Sequence, residues 1–345
     1  MICTFYSYKG GVGRSMALAK SADILARAGL RVLMIDFDLE APGLEQYFDI
    51  DQKAMRAHAG LFDLISQYRA AMASSLPTVP QDQDFRRLDE LFIAPVYLKL
   101  PSGGKLDLMP AGRRGSDEQL SEYALALRQF DWQDFYFNFG GEVFFEWLRR
   151  SLDSKLYDVV LVDSRTGVTE MGGICAYQVA DLIVVMCAPN QQNLDGTYDV
   201  VRNFFSPRVT TLRSGRPLQL LVVPSRVETR DESSLNDFRG RFENLFTGFM
   251  PKELVGAGLT YWDLLIPYDP RSAFQESVAA RQPGRSALND QPRDPKARPR
   301  YWSSRRARRA DSQARHWRVC DGRAGGAAVR HHQSRRRLRP FPDLP

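Results

Sequence analysis

Cysteine and histidine are both scarce in this chain, four of each in 345 residues. Cys3, Cys175, Cys187 and Cys320 stand far apart with no close pair. That scatter excludes a disulfide-stapled scaffold and a cysteine-held iron–sulfur centre, and it leads us to expect a reducing, cytoplasmic setting. Cys3, Cys175 and Cys187 read instead as small buried apolar residues. His58, His316, His331 and His332 form no catalytic or metal-binding grouping. Long apolar runs are missing too. Nothing approaches the ~18 uninterrupted apolar residues of a membrane span, and no C-terminal amphipathic helix offers a membrane-surface anchor. The first residues already read as a strand, so no leader peptide is expected. Internal repeats are absent.

Charge is divided unevenly along the chain, and the tail has no Glu and little Asp. From Arg281 to Pro345 there are 17 Arg and 1 Lys against 5 Asp and no Glu, a net of +13. The whole chain carries +6, so the first 280 residues carry −7. We therefore expect a folded body over 1–280 and a distinct tail over 281–345. Pro283, Pro292, Pro295 and Pro299 break any helix there, and apolar periodicity stops. Arg305-Arg306-Ala307-Arg308-Arg309 and Arg335-Arg336-Arg337 are dense charge runs. Three readings of the tail stay open: a segment that binds nucleic acid or another anionic surface through counterion release, a solvated disordered tail, or a frame-shifted read of GC-rich coding sequence. The last would explain abundant Arg, Pro, Ala and Gly, and would leave the fold short of its final helix. Nucleic acid is thus a candidate partner through the tail alone.

Within the body, apolar runs suited to buried parallel strands recur at Ile2–Tyr8, Val32–Asp36, Leu106–Met109, Val159–Asp163, Leu182–Ala188 and Leu218–Val223, with a shorter one at Leu264–Pro267. Helical spacing lies between them at Ser15–Ala28, Glu142–Leu152, Asn193–Phe205, Leu235–Phe246 and Arg271–Ala279. Gly29 reads as the stop of the first helix. This alternation predicts an α/β fold: a doubly wound, mostly parallel sheet with helices on both faces, a Rossmann-like three-layer sandwich with its site at the carboxyl ends of the strands. Residues 50–140 exceed a simple crossover and read as an insertion. It holds helices over Leu61–Met72 and Ser116–Arg128 and a hairpin over Leu98–Met109 around Ser102-Gly103-Gly104. An aromatic stretch, Phe130 to Phe139, is either local core or a partner-binding surface.

The chemistry gathers where the first strand meets the first helix. Lys9-Gly10-Gly11-Val12-Gly13-Arg14-Ser15 directs free backbone N–H groups and the positive end of a helix dipole to one spot, which suits a chain of phosphates. The glycines let the backbone approach anionic oxygens closely. Ser15 brings a hydroxyl of the type that ligates Mg²⁺. Two further strands end in carboxylates: Asp36 and Asp38 after Arg31–Ile35, and Asp163 in Val159-Val160-Leu161-Val162-Asp163-Ser164-Arg165-Thr166-Gly167.

With these three motifs in this order, the chain resembles the MinD/ParA group of P-loop ATPases (SIMIBI class), whose deviant phosphate loop carries a second lysine near its start; Lys9 stands at that position. The likeness covers about residues 1–280. The segment Asp38-Leu39-Glu40-Ala41-Pro42-Gly43-Leu44 and Tyr6-Ser7-Tyr8 resemble a bacterial branch distinct from the cell-division and plasmid-partition proteins. The resemblance implies ATP and Mg²⁺ as ligands. Backbone from Gly11 to Ser15 wraps the phosphates, with Arg14 along their outer oxygens. Ser15, Asp36 and Asp163 order the metal, and Asp38 orients a water. Gly167 senses the γ-phosphate, and Lys9 reaches the nucleotide of a second subunit in an ATP-dependent homodimer. By the same analogy the loops at Pro224-Ser225-Arg226 and Pro267 flank the base, which favours adenine; Arg226 either stacks on it or is a surface arginine. Two departures matter: Tyr8 occupies the first glycine position of the general pattern, and Arg14 the usual lysine position. Arginine keeps the charge but replaces a compact ammonium with a planar fork.

The leading expectation is a slowly hydrolysing ATPase switch that governs an unidentified protein partner. The alternatives are an ATP-using metabolic enzyme of the same fold and a nucleotide-binding scaffold with little turnover.

Overall fold

Strand β1, Ile2–Ser7, is buried along its whole length and lies inside an eight-stranded sheet. The computed structural model describes residues 1–73, 91–97, 100, 102–152, 156–167, 173–228 and 231–270. The other strands are β2 (Arg31–Asp36), β3 (Ala94–Tyr97), β4 (Lys105–Met109), β5 (Val159–Asp163), β6 (Leu182–Cys187), β7 (Gln219–Val227) and β8 (Ile266–Pro267). Their order is β3-β4-β2-β5-β1-β6-β7-β8. Every pairing is parallel except β3 with β4. This is the doubly wound α/β sheet that the alternation of apolar runs and helices predicts.

The strands read as unbroken apolar runs because both faces are covered. On β2, Val32 and Met34 join the core beneath helix α1 (Arg14–Arg27), whereas Leu33 and Ile35 join the core on the opposite face. On β5 the same alternation sends Val159 and Leu161 to one side and Val160 and Val162 to the other. A third cluster joins Ile183 and Val185 of β6 to helices α7 (Gln191–Phe204) and α9 (Glu232–Phe246). Ala19, Ala22 and Ala26 on α1 are fully buried, and their small side chains let the helix lie close on the sheet.

The segment over 50–140, read from the sequence as an insertion, is largely helical where it is described. Helices α2 (Gln52–Ala57), α3 (Leu61–Ala73), α4 (Asp117–Gln129), α5 (Trp132–Asn138) and α6 (Gly141–Leu152) fall within or just after it. Asp51, Ser116 and Asp131 cap α2, α4 and α5 through their side-chain oxygens. The aromatic stretch forms α5 and its flanks. Phe135 is fully buried against Tyr68, Phe144 and Phe145, and Phe130, Trp132, Tyr136 and Phe139 pack around the same cluster. Phe137 alone among the large exposed apolar side chains belongs to this run, so the stretch is chiefly local core.

Several boundaries differ from expectation. The hairpin's second arm is β4, but its first arm lies earlier than Leu98, at β3. Pro95 suits β3 because an edge strand tolerates the missing N–H. Strand β7 continues to Val227, past the expected end at Val223, because β8 pairs along Ser225 and Val227. Four short helices were not legible in the periodicity: α2, α5, α8 (Pro207–Leu212), capped by Ser206 with proline at its start, and α10 (Lys252–Gly256). The chain divides into two units, Met1–Pro283 and Gly284–Pro345. The expected helix at 271–279 and the basic tail lie outside the described residues. No helix among the described residues is long and apolar enough to cross a membrane.

Candidate functional site

The turn after β1 carries Gly11 and Gly13 at φ +73° and +83°, a conformation that glycine adopts without a Cβ penalty. Gly13 leads into α1, whose first turn has no capping side chain and no acidic residue. The first N–H groups of the helix therefore face outward with the positive end of its dipole behind them. Space in front of Gly10 and Gly13 is open to at least 4 Å. Val12 is buried beneath the loop and anchors it in the core under α1. Lys9 is half-buried.

Register brings the carboxylates to this turn. Asp36 at the end of β2 lies opposite Asp163 at the end of β5, and Asp163 in turn lies beside Phe5 of β1. Arg14, 6% exposed at its side chain, is held between two of them. Its Nε donates to Asp163 Oδ1 at 2.6 Å and its Nη2 to Asp38 Oδ2 at 2.8 Å. Burial works against the Arg14 charge, yet Asp163 and Asp38 hold its pKa above the ordinary arginine value. Nη1 is buried without a hydrogen-bond partner among the described residues. For Asp163, burial is the main influence and raises its pKa, against the pull of Arg14 and a hydrogen bond with Ser15.

Asp36 is bound into the loop that follows β2. One oxygen accepts the N–H of Asp38 at 3.2 Å; the other accepts those of Gly43 at 3.0 Å and Leu44 at 3.3 Å. Burial and the neighbouring Asp163 push its carboxyl up to about 7, with Arg114 opposing. The loop after β5 is tied back to β1: Gly167 N–H donates to Ser7 O at 3.2 Å, and Tyr6 Oη donates to Gly167 O at 3.0 Å. An ion pair between Arg165 and Glu40 joins the loop after β5 to the loop after β2.

From β7, Arg226 reaches the glycine turn. Pro224 is buried within β7, and Pro267 is exposed on β8. Arg226, at φ +53°, donates from Nη1 to the Gly11 carbonyl, with its guanidinium 4.9 Å from the centre of the Tyr268 ring. Of the residues that the three motifs single out, Arg14 joins Asp38 and Asp163, Asp36 lies opposite Asp163, and Gly167 is tied to Ser7 at the end of β1, while Arg226 reaches Gly11 from β7. Sequence reasoning missed Tyr268, Arg165 and Glu40 as partners across loops. Only their adjacency to the motif residues signalled them.

The donor set has a definite chemistry. Among the described residues no three His, Cys, Asp or Glu side chains converge as a metal cage. The pairing of Ser15 with Asp163 beside an open, uncapped helix start fits a hard cation that takes its remaining ligands from phosphate oxygens and water. The donor set therefore suits magnesium as a partner of phosphate, not as an ion held by protein alone.

The family model for the CobQ/CobB/MinD/ParA nucleotide binding domain matches residues 3–271. No curated protein matches the sequence. Among solved structures, the chain is similar to apo McdA of Cyanothece (14% identity, 76% of this chain and 92% of that one, TM-score 0.49). It is also similar to MinD of Pyrococcus horikoshii complexed with Mg-ADP (17% identity, 78% and 82%, TM-score 0.43), and to cobyrinic acid a,c-diamide synthase of Mycobacterium smegmatis (16% identity, 70% and 80%, TM-score 0.43).

Proposed function

The chain belongs to the CobQ/CobB/MinD/ParA nucleotide-binding domain family, and from that membership and the site's geometry we propose that it is an ATP-dependent switch. It binds ATP with Mg²⁺ at the turn between β1 and α1, pairs with a second copy while ATP is held, hydrolyses it slowly, and so controls a protein partner. The observation that carries this reading is the uncapped start of α1 facing two strand-end carboxylates bridged by Arg14.

In this reading the protein performs little covalent chemistry; it positions and neutralises. Backbone N–H groups from Gly11 to Ser15 cradle the phosphates, and Arg14 neutralises their outer oxygens after leaving Asp38. Ser15 and Asp163 hold the metal, which supplies charge neutralisation when bound. Asp36 orders that shell indirectly, through the loop it binds. Asp38 orients the attacking water, and Gly167 reports the γ-phosphate by exchanging its bond to Ser7. Lys9 reaches across to the nucleotide of the second copy. Pro224, Arg226 and Pro267 flank an adenine. Slow turnover belongs to a switch, because the bound state must last long enough to be read.

Arg14 also supports a second reading, a scaffold that holds nucleotide with little turnover, since its fork already satisfies Asp163 and Asp38. One set of measurements separates the two. ATP affinity, turnover and solution mass would be compared for the wild type, Lys9→Ala and Asp38→Ala. The switch predicts weak hydrolysis lost in both variants, with an ATP-dependent dimer retained in Asp38→Ala and lost in Lys9→Ala. A scaffold binds ATP tightly in all three without turnover. A folded sample with no affinity for any nucleoside triphosphate would end both readings.

A further inference from the structure

The insertion reaches into the loop that carries Asp38, and it does so through buried polar groups. Glu45 is fully buried, a costly place for a carboxylate unless it is paired. Arg114, 8% exposed, meets it with both terminal nitrogens, at 3.0 Å to Oε1 and 3.1 Å to Oε2. Arg56 Nε adds a third bond to Oε1 at 2.9 Å. A two-pronged arginine–carboxylate pair of this kind fixes orientation as well as distance. A few residues upstream, Tyr123 Oη donates to the Leu39 carbonyl at 2.6 Å from a buried position. Tyr123 can pass there because Gly112 has no side chain; a Cβ at Gly112 would lie 2.7 Å from the Tyr123 ring.

These bonds bracket one short segment. Asp36 accepts the N–H groups of Asp38, Gly43 and Leu44 from the sheet side. Tyr123 holds Leu39, and Arg114 with Arg56 holds Glu45, from the insertion side. The segment therefore cannot move as a free loop: its beginning and its end are each pinned from two directions. Arg114 lies on the exit of β4 and Tyr123 on α4, so residues 50–140 restrain the segment that carries Asp38 from one side, while Arg14 holds the Asp38 carboxylate itself.

We propose that Arg114 and Tyr123 are positioning residues that hold the loop from Asp38 to Glu45 in the geometry which aims Asp38 into the nucleotide site. This deepens the ATPase reading and rests on it for the role of Asp38; the pinning itself does not. Neither side chain bonds to Asp38 or to the glycine turn; their bonds go to Glu45 and Leu39, so they act on Asp38 through the loop.

The test uses the full chain with two variants. Tyr123→Phe removes only the hydroxyl. The double variant Arg114→Met/Glu45→Met removes both buried charges together, which spares the fold the unpaired carboxylate that Arg114→Met alone would leave. Two readouts are needed: hydrogen exchange of the Leu39, Gly43 and Leu44 amides without nucleotide, and ATP affinity alongside kcat. The expected result is faster exchange at these amides in both variants, with kcat lowered by about tenfold or more and ATP affinity changed by less than about twofold, a split that general loss of stability does not produce. Unchanged exchange in both folded variants overturns the proposal even if the wild type hydrolyses ATP. Faster exchange with an undiminished kcat also overturns it, since the loop would then be pinned without consequence for the reaction. If exchange rises but the wild type neither binds nor hydrolyses ATP, the pinning stands and the ATPase reading falls.

Discussion

The Tyr8 ring lies directly against Gly196 in the middle of α7, so closely that a Cβ built on Gly196 would overlap it. Tyr8 occupies the position where the general phosphate-loop pattern has its first glycine. Here the missing side chain has moved to the facing helix, and Gly196 gives Tyr8 its space.

Gly196→Ala is therefore expected to behave against helix propensity. Alanine inside a helix ordinarily gains about 1 kcal/mol over glycine. Here overpacking against Tyr8 is expected to cost about 1–3 kcal/mol and to displace the start of the glycine turn. Urea unfolding and ATP titration check both effects. A variant more stable than the wild type would show that the ring moves aside without penalty.

Arg14 holds two carboxylates with one planar fork, a geometry that lysine's single nitrogen cannot reproduce. Arg14→Ala leaves Asp163 buried without its cation and is expected to cost about 3 kcal/mol in the absence of nucleotide. Arg14→Lys is expected to fall between it and the wild type. Chemical denaturation with and without Mg-ATP measures the series. Equal stability of all three would remove the bridge from the account of the site.

Arg226 combines a left-handed backbone with a side chain bound to Gly11. Arg226→Ala loses the bond and keeps the strain, whereas Arg226→Gly loses the bond and relieves it. The glycine variant is expected to be about 1 kcal/mol more stable than the alanine variant, with nucleotide affinity weakened alike in both. Thermal unfolding and binding isotherms separate the two effects.

Phe135 and Phe137 stand two residues apart in the aromatic stretch with opposite surroundings. Phe135→Ala is expected to cost about 3–5 kcal/mol by opening a cavity, and Phe137→Ala under about 0.5 kcal/mol. Denaturation midpoints decide, and comparable losses at both positions would contradict the assignment of Phe137 to the surface.

Asp36 makes the chain's stability depend on pH in a stated direction. Its ordinary value is 3.8, and burial raises it to about 7 in the fold. Such a group favours folding as the acid: its contribution is full below the unfolded value and is lost as pH rises through about 7. Asp163 shifts the same way. Without nucleotide, the urea midpoint is expected to be higher near about pH 5 than near about pH 8, with the difference reduced in Asp36→Asn. An opposite slope would mean that the three N–H bonds and Arg114 outweigh burial.

What could be read from the linear chain was what is local or periodic. Apolar runs that end in glycine or aspartate predict the central strands, and helical spacing predicts α1, α3, α4, α6, α7 and α9 to within a few residues. Lys9 to Ser15 state their chemistry within one turn, because strand, glycines and helix start are contiguous. Less was legible where short capped helices such as α2 and α8 depend on a single serine or aspartate, or where an edge strand is defined by its neighbour, as β3 is by β4. Asp36 shows the limit within a motif: nothing in the linear chain says that its carboxylate accepts the N–H groups of Gly43 and Leu44, seven and eight positions on.

The sequence by itself determined the sheet, the phosphate-type turn and the family, since each rests on residues adjacent in the chain or spaced at a fixed period. Only the tertiary structure decided that Arg14 bridges Asp163 and Asp38, that Gly196 accommodates Tyr8, and that Arg114 meets Glu45 across 69 positions. Those contacts join residues that share no period and no neighbour in the chain, and burial sets their energetics: a charge or a ring has a definite partner only once folding has removed the water around it.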